Sequence, residues 1–252
     1  MPDLLTVRQA LAQAGLAPVD ARALLAHALK RDRAWLIAHE TDALARADVE
    51  RFFALARRRR DGEPVAYLTG EREFWGLTLA VDRSVLIPRS ETETLVERAL
   101  RVLPTERPTR VLDLGTGTGA IAIALAMERL QAQIVATDAS PAALAIARAN
   151  VDRMKLERVR VIQSSWYEAL PGADARFDLI ASNPPYVALG DPHLSEGDLR
   201  FEPRDALCAG RDGLDALRII VAGAGEDDAQ RIEPVRPRAE RVARLESQVA
   251  LR

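Results

Sequence analysis

The sequence is poor in cysteine, and this absence indicates where the protein works. Cys208 is the single cysteine among 252 residues, so no internal disulfide can form. Structural disulfides are typical of secreted proteins, whereas reduced thiols are typical of the cytoplasm. We therefore expect a cytoplasmic localisation.

The sequence also lacks long apolar runs and an excess of positive charge. No run approaches the ~20 apolar residues of a membrane-spanning helix, and residues 1–13 lack the basic and apolar segments of a signal peptide. We therefore expect no membrane association. The formal net charge is −2, which argues against a broadly basic protein, and we expect no stable binding of nucleic acid.

Residues 1–62 have the apolar periodicity of helices. Within residues 20–29, a single helical face contains Ala21, Leu24, Leu25, Ala28 and Leu29. A second helix is predicted to end with four arginines, Arg57–Arg60. Their positive charges suit the negative end of a helix dipole. A contact with an acidic or phosphate-bearing partner is the alternative interpretation.

Residues 63–90 differ in character from the helical segment before them. Their β-branched and aromatic residues are interrupted by Gly70, Gly76 and Pro88, which predicts a hairpin-like connector. The pattern then predicts a new helix whose N-cap is Ser90. Glu93 stands three residues later, so these two residues have the spacing of a capping box.

From residue 110 onward, strand and helix patterns alternate along the chain. The predicted strands cover residues 110–114, 133–138, 159–163 and 177–182, and the predicted helices cover 119–130 and 140–154. Alternation with short links indicates βαβ units and a parallel sheet. The predicted fold class is therefore α/β, with a Rossmann-like doubly wound sheet after a small N-terminal helical domain and a β-hairpin connector.

A glycine-rich loop follows the first of these strands, and an acidic residue ends the second. Gly115, Gly117 and Gly119 leave no Cβ in the way of a ligand. Their spacing differs from the G-x-G-x-x-G of dinucleotide-binding proteins, which disfavours NAD. Asp138 lies about 20 residues further on, where a carboxylate can accept both hydroxyls of a ribose. A helix N-cap is the alternative role, but Ser140 already suits it.

A rigid loop follows the fourth strand and contains Asn183, Pro184, Pro185 and Tyr186. Two adjacent prolines cannot lie within a sheet because each lacks a backbone donor. Open parallel sheets bind ligands at the carboxyl ends of their strands. We therefore expect this loop, the glycine loop and Asp138 to converge on one crevice.

The combination of these three loops resembles the class I S-adenosylmethionine-dependent methyltransferases that act on a planar amide or exocyclic amine nitrogen. Further motifs resemble the HemK-type family of protein-(glutamine-N5) methyltransferases, which act on peptide chain release factors. These motifs are FWG at 74–76, LIPRSETE at 86–93, SSWYEAL at 164–170 and FEPRDAL at 201–207. The likeness extends to about residue 222, with a departure at Ser90, where the family has proline.

The resemblance implies a substrate, a cofactor and a set of site residues. The substrate is the glutamine of the Gly-Gly-Gln motif in release factors, methylated on its N5 nitrogen, and the cofactor is S-adenosyl-L-methionine, without a metal. The implied cofactor-binding residues are Gly115, Thr116, Gly117, Thr118, Gly119, Asp138, Trp166 beside the adenine, and Asn183. The implied substrate-binding residues are Asn183, Pro184, Pro185 and Tyr186.

The resemblance also implies how the acceptor amide is held. The Asn183 side-chain oxygen and the Pro184 carbonyl accept its two N–H groups, and the Tyr186 ring packs on its flat face. These three residues are the implied catalytic residues. The loop by itself suits a nucleobase amine equally well, and only the flanking motifs favour glutamine.

The resemblance divides the chain into four parts. A helical substrate-recognition domain covers residues 1–62, the hairpin connector 63–90, the S-adenosylmethionine-dependent methyltransferase domain 91–222, and an atypical tail 223–252. The tail has no aromatic residue and no β-branched run. We expect disorder there and the last strands of the sheet missing or replaced, and we interpret this as a shifted reading frame or a recent replacement.

Three alternative functions stay open. The first is methylation of a nucleic-acid exocyclic amine, at adenine N6 or guanine N2, which would require base flipping. The second is methylation of a ribosomal-protein glutamine by a close relative of the family. The third is an inactive binding remnant, caused by the altered C-terminus.

Overall fold

The computed structural model describes residues 4–170 and 176–224. These residues form two compact units. The first runs to Glu71 and also contains Ser195–Phe201, and the second contains the other described residues. The predicted disordered tail begins at residue 223. Gly223 is the last residue of a helix and Ala224 is its C-cap. Residues from 225 onward, on which the prediction of missing final strands also falls, lie outside the described residues.

The first unit is helical, as predicted. Its helices are α1 Val7–Gln13, α2 Pro18–Leu29, α3 Arg33–Ala38, α4 Arg46–Arg60 and α5 Val65–Thr69. Four of the five residues predicted on the apolar face of α2 are buried, and Leu29 is partly buried. Phe52 of α4 is fully buried in the same core. The 3.6-residue periodicity of apolar side chains therefore accounts for how this unit packs.

The arginines at the end of α4 bind groups of the first unit. Arg58 donates two hydrogen bonds of 2.7 Å to the Glu63 carboxylate. Arg59 donates to Asp20 at 2.8 Å and to Asp198 at 2.9 Å. Asp198 lies in the returning segment Ser195–Phe201, so Arg59 connects α4 to that segment. These contacts favour a structural role for Arg58 and Arg59.

Two short strands form the hairpin, β1 Glu71–Phe74 and β2 Leu77–Ala80. The turn is made by Trp75 and Gly76, whose φ angles are 54° and 68°. The Trp75 backbone N–H donates to the Glu93 carboxylate at 2.8 Å.

The predicted capping box at Ser90 is wrong. Ser90–Thr92 form a 3-10 turn, and helix α6 spans Glu93–Val102. Glu93 therefore lies at the first position of the helix and binds the hairpin turn instead of the Ser90 backbone. A tertiary contact has prevailed over the local capping pattern.

The second unit contains a parallel four-stranded sheet with the order β5-β4-β3-β6, as the alternating pattern predicts. The strands are β3 Thr109–Leu114, β4 Ala132–Asp138, β5 Val159–Gln163 and β6 Leu179–Ser182. The helices that follow α6 are α7 Ala120–Glu128, α8 Pro141–Arg153 and α9 Asp215–Gly223. Short 3-10 turns cover Pro192–Ser195 and Arg204–Ala206, and another, Gly197–Phe201, belongs to the first unit.

The strand order places β3 beside the point where the direction of winding reverses. The chain proceeds from β3 outward to β4 and β5, then returns to β6 on the other side of β3. Val111, Leu112 and Leu114 of β3 are fully buried, as expected for a strand covered on both faces. In open α/β sheets this reversal point is where ligands bind.

Candidate functional site

The carboxyl ends of three strands meet at one edge of the sheet. Leu114, the last residue of β3, pairs with Thr137 in β4 and with Ser182 in β6. The Ser182 hydroxyl also donates to the Leu114 carbonyl at 2.7 Å. The glycine loop, Asp138 and Asn183 each follow directly after these positions. The structure thus brings the three predicted site elements together.

The glycine loop needs backbone angles that other residues rarely adopt. Gly115, Gly117 and Gly119 have φ angles of 68°, 54° and 83°. A Cβ added to Gly117 would meet no atom within 4 Å, whereas one added to Gly119 would lie 3.2 Å from Cδ1 of Ile123. Gly119 therefore permits close packing on α7, and Gly117 borders open space that a ligand can enter.

The two threonines between these glycines are buried, and each forms a hydrogen bond with another part of the protein. The Thr116 hydroxyl donates to Asp113 Oδ2 at 2.6 Å. The Thr118 carbonyl accepts a 3.0 Å hydrogen bond from the Asn150 side chain, which also exchanges two hydrogen bonds with the Ala80 backbone. Asn150 thus joins the hairpin to the glycine loop. Sequence reasoning missed this role because Asn150 occupies an ordinary position within α8.

Asp113 is a fully buried acid directly beneath the glycine loop. Its Oδ2 accepts hydrogen bonds from Thr116 and from the Ala122 backbone N–H at 3.2 Å. Among the described residues, its Oδ1 has no partner. Burial raises the pKa of Asp113 to about 7, although the two hydrogen bonds partly oppose this, and the charge of Asp138 raises the pKa further. A charged residue within the apolar stretch VLDLG was the available sequence signal.

Asp138 faces the glycine loop and does not cap the next helix. Its Oδ2 accepts the Gly117 backbone N–H at 2.9 Å, and its Oδ1 accepts the Ser140 backbone N–H at 2.9 Å. The N-cap of α8 is Ser140, as predicted, and its hydroxyl accepts the Ala143 N–H at 3.2 Å. Each Asp138 oxygen retains a further acceptor position. The ribose-binding role of Asp138 stays a prediction.

Trp166 lies beside the first glycine of the loop. Its Cζ3 is 3.8 Å from the position that a Cβ on Gly115 would occupy. The indole packs against the buried cluster around Leu112 and Leu114. Its backbone has a φ of 50°, and its carbonyl accepts a 2.9 Å hydrogen bond from the Ser164 hydroxyl. Trp166, which the resemblance places beside an adenine, thus lies at the same edge of the sheet, and its contact with an adenine stays a prediction.

The Asn183–Tyr186 loop presents both buried and exposed groups. Pro184 is buried, whereas Tyr186 is 54% exposed. The Asn183 Nδ2 donates to Oγ1 of Thr92 at 3.2 Å. Within the described residues, no donor reaches Asn183 Oδ1. That oxygen can therefore accept a hydrogen bond from a ligand.

A second segment of the chain fixes the far end of this loop. Val187 donates its N–H to Leu207 at 2.9 Å and accepts the Ala209 N–H at 3.0 Å. Gly213, with φ 77°, approaches so closely that an added Cβ would lie 2.4 Å from the Tyr186 carbonyl oxygen. The loop is thus held at both ends before any ligand binds.

The described residues offer no site for a metal ion and no membrane-spanning helix. Within residues 4–170 and 176–224, no group of three or more His, Cys, Asp or Glu side chains has an arrangement that could hold a metal ion. In the same ranges, no helix has the length and apolarity needed to cross a membrane.

Two protein families match this chain. The family described as PrmC N-terminal domain matches residues 4–70, and the family described as methyltransferase small domain matches residues 92–195. The first match covers the helical unit. The second match covers the glycine loop and the Asn183–Tyr186 loop.

Three similar proteins are each named release factor glutamine methyltransferase. The protein of Xylella fastidiosa strain Temecula1 is 57% identical over 206 residues, which cover 82% of this chain and 74% of that protein. The protein of Bordetella pertussis is 53% identical over 218 residues, with coverages of 86% and 80%. That of Escherichia coli K12 is 47% identical over 202 residues, with coverages of 80% and 72%.

Proposed function

The chain belongs to the release factor glutamine methyltransferase family, and on this premise we propose that it methylates the N5 amide nitrogen of the glutamine in the Gly-Gly-Gln motif of peptide chain release factors, using S-adenosyl-L-methionine. The observation that carries this proposal is the position of Asn183. It follows a strand paired directly with β3, so its amide lies at the same sheet edge as the glycine loop.

The residues at this edge fit S-adenosylmethionine. Bound there, the cofactor supplies a methyl group activated by a positively charged sulfonium. Asp138 provides a carboxylate that favours a cationic ligand. The open space at Gly117 admits the ligand close to the backbone. We assign the loop 115–119 and Asp138 to cofactor binding, and Trp166 to the adenine.

The acceptor nitrogen requires positioning more than activation by a base. An amide nitrogen is a poor nucleophile because its lone pair is delocalised into the carbonyl, and it has two N–H groups that need acceptors. Asn183 Oδ1 and the Pro184 carbonyl accept these hydrogens, and the exposed Tyr186 ring covers the flat amide face. Proline restricts the chain that presents the carbonyl. Correct orientation of reacting groups accounts for several kcal/mol in such reactions.

We further propose a role for the helical unit and a cellular location. The unit matches the PrmC N-terminal domain family, and we assign it to recognition of the release factor. The translation machinery is the proposed partner, so we infer a cytoplasmic location. A net charge of −2 does not favour stable binding of nucleic acid.

A transfer assay with labelled S-adenosylmethionine tests the choice of substrate. The full chain is incubated separately with release factor, ribosomal protein, RNA and DNA. We expect label on the release factor. Label confined to nucleic acid would support an exocyclic-amine methyltransferase, and label confined to ribosomal protein would support a ribosomal-protein glutamine methyltransferase. Calorimetry that detected no cofactor binding by the folded chain would support an inactive remnant.

A further inference from the structure

Thr92 holds the amide on which the proposed reaction depends. Its Oγ1 accepts the hydrogen bond from Asn183 Nδ2 at 3.2 Å, and its side chain is buried, with the residue 7% exposed. We propose that Thr92 is a positioning residue, whose hydroxyl holds the Asn183 amide so that Oδ1 meets the substrate. This inference rests on the proposed function.

The chemistry of the two amides explains why orientation matters. The nitrogen of a glutamine amide presents only donors to the site, so it needs an acceptor from Asn183. Turned by 180°, the Asn183 amide would present its own NH2 group instead, and no hydrogen bond could form. In the structure Nδ2 is bound to Thr92. This leaves Oδ1 as the end that faces the substrate.

The Thr92 hydroxyl is not used by its own helix. Thr92 is the N-cap of α6, a position where a threonine hydroxyl ordinarily accepts a backbone N–H of the first turn. Here no side-chain hydrogen bond caps the helix. The hydroxyl contacts Asn183, 91 positions further along the sequence. The Thr92 backbone is itself helical, with φ −68° and ψ −21°, so its hydroxyl is not required as a cap and is available to Asn183.

A buried acid fixes the segment that presents Thr92. The Glu202 Oε2 accepts the Ile87 backbone N–H at 3.1 Å, and its Oε1 is bound by Arg89. The Thr92 N–H in turn donates to the Arg89 carbonyl at 3.0 Å. The Glu202 side chain is fully buried. Residues 87–92 are therefore held in place before any ligand binds, which a site based on orientation requires.

Two matched pairs of side chains distinguish the effect of losing the hydroxyl from the effect of altered packing. Threonine and valine have nearly the same shape and differ in the hydroxyl, and serine and alanine differ in the same group. Methyl transfer to release factor is measured for the full chain and for Thr92→Val, Thr92→Ser and Thr92→Ala, with both substrates varied. Thr109→Val is the control, because Thr109 is also buried but begins β3 at the opposite end of the sheet.

We expect kcat to fall about tenfold in Thr92→Val, the effect of one hydrogen bond, while the KM for S-adenosylmethionine stays unchanged. Thr92→Ser should retain most of the activity, and Thr92→Ala should lose most of it. If Thr92→Val does not fold, the serine and alanine pair decides. The inference would be overturned if Thr92→Val had the same kcat as the wild-type chain and Thr92→Ala had the same kcat as Thr92→Ser. It would also be overturned if the serine and alanine variants lost activity equally. Failure of the wild-type chain to label release factor would instead remove the proposed function, and with it the inference.

Discussion

The Asp138 carboxylate accepts the backbone N–H of Gly117 at 2.9 Å. This contact joins the end of β4 to the middle of the glycine loop, 21 residues earlier in the chain. It places the negative charge of Asp138 next to Gly117, where an added Cβ would have no atom within 4 Å. The contact of Asp138 with the cofactor ribose is a proposal that this arrangement is compatible with.

Asp138→Asn is expected to weaken S-adenosylmethionine binding by about ten- to a hundredfold, the range for hydrogen bonds to a charged group. The substitution keeps the shape of the side chain and removes its charge. Calorimetry measures the Kd. Asp152→Asn, an exposed position in α8, is the control and should leave the Kd unchanged. Equal Kd values for the two variants would remove Asp138 from the cofactor site.

Gly213→Ala is expected to impair methyl transfer because its Cβ would lie 2.4 Å from the Tyr186 carbonyl oxygen. The collision must displace the Asn183–Tyr186 loop. Gly190→Ala is the matched control, since Gly190 also has a positive φ, 88°, but has nothing within 4 Å of its added Cβ. Transfer rates at saturating cofactor should fall in the first variant and change little in the second. Equal rates would show that the close approach is not needed.

Asn150→Leu is expected to lower the free energy of unfolding by about 3 kcal/mol, because it leaves buried and partly buried backbone groups without partners. These groups are the Ala80 N–H and carbonyl and the Thr118 carbonyl. Urea denaturation measures the change. Gln163→Leu removes an amide from an exposed position and should shift stability by less than about 0.5 kcal/mol. A similar small change in both variants would contradict the bridging role of Asn150.

Asp113 is expected to make stability depend on pH. Its pKa is raised from 3.8 to about 7 in the folded chain, so the folded state retains a proton that the unfolded state loses. Its contribution to stability is therefore complete below the unfolded pKa and is lost as pH rises toward and through 7.

The Asp113→Asn variant isolates this contribution. The wild-type free energy of unfolding minus that of the variant should decrease between pH 5 and pH 8. Because other titrating groups are common to both proteins, they cancel in the difference. Denaturation curves at several pH values test this, and a difference that stays constant or increases with pH would mean that Asp113 is not held in its protonated form.

The sheet and its binding edge were predictable from sequence because apolar runs, glycines and short links are local signals. The same signals identify Asp138, which ends a predicted strand, and Asn183, which directly follows one. The sequence predicts a capping box at Ser90 that does not form, because Glu93 is bound by Trp75 in the hairpin. Thr92 and Asn150 act on groups 91 and 70 positions away in sequence. A single sequence contains no local pattern for such contacts.

Mass spectrometry of a release factor after incubation with this protein and S-adenosylmethionine detects the proposed glutamine methylation itself. We expect one methyl group on the glutamine of the Gly-Gly-Gln peptide, and none after incubation with Asn183→Ala, although that variant still binds the cofactor by calorimetry. An unmodified glutamine after incubation with the folded wild-type chain, or an equally methylated one with Asn183→Ala, would contradict this proposal.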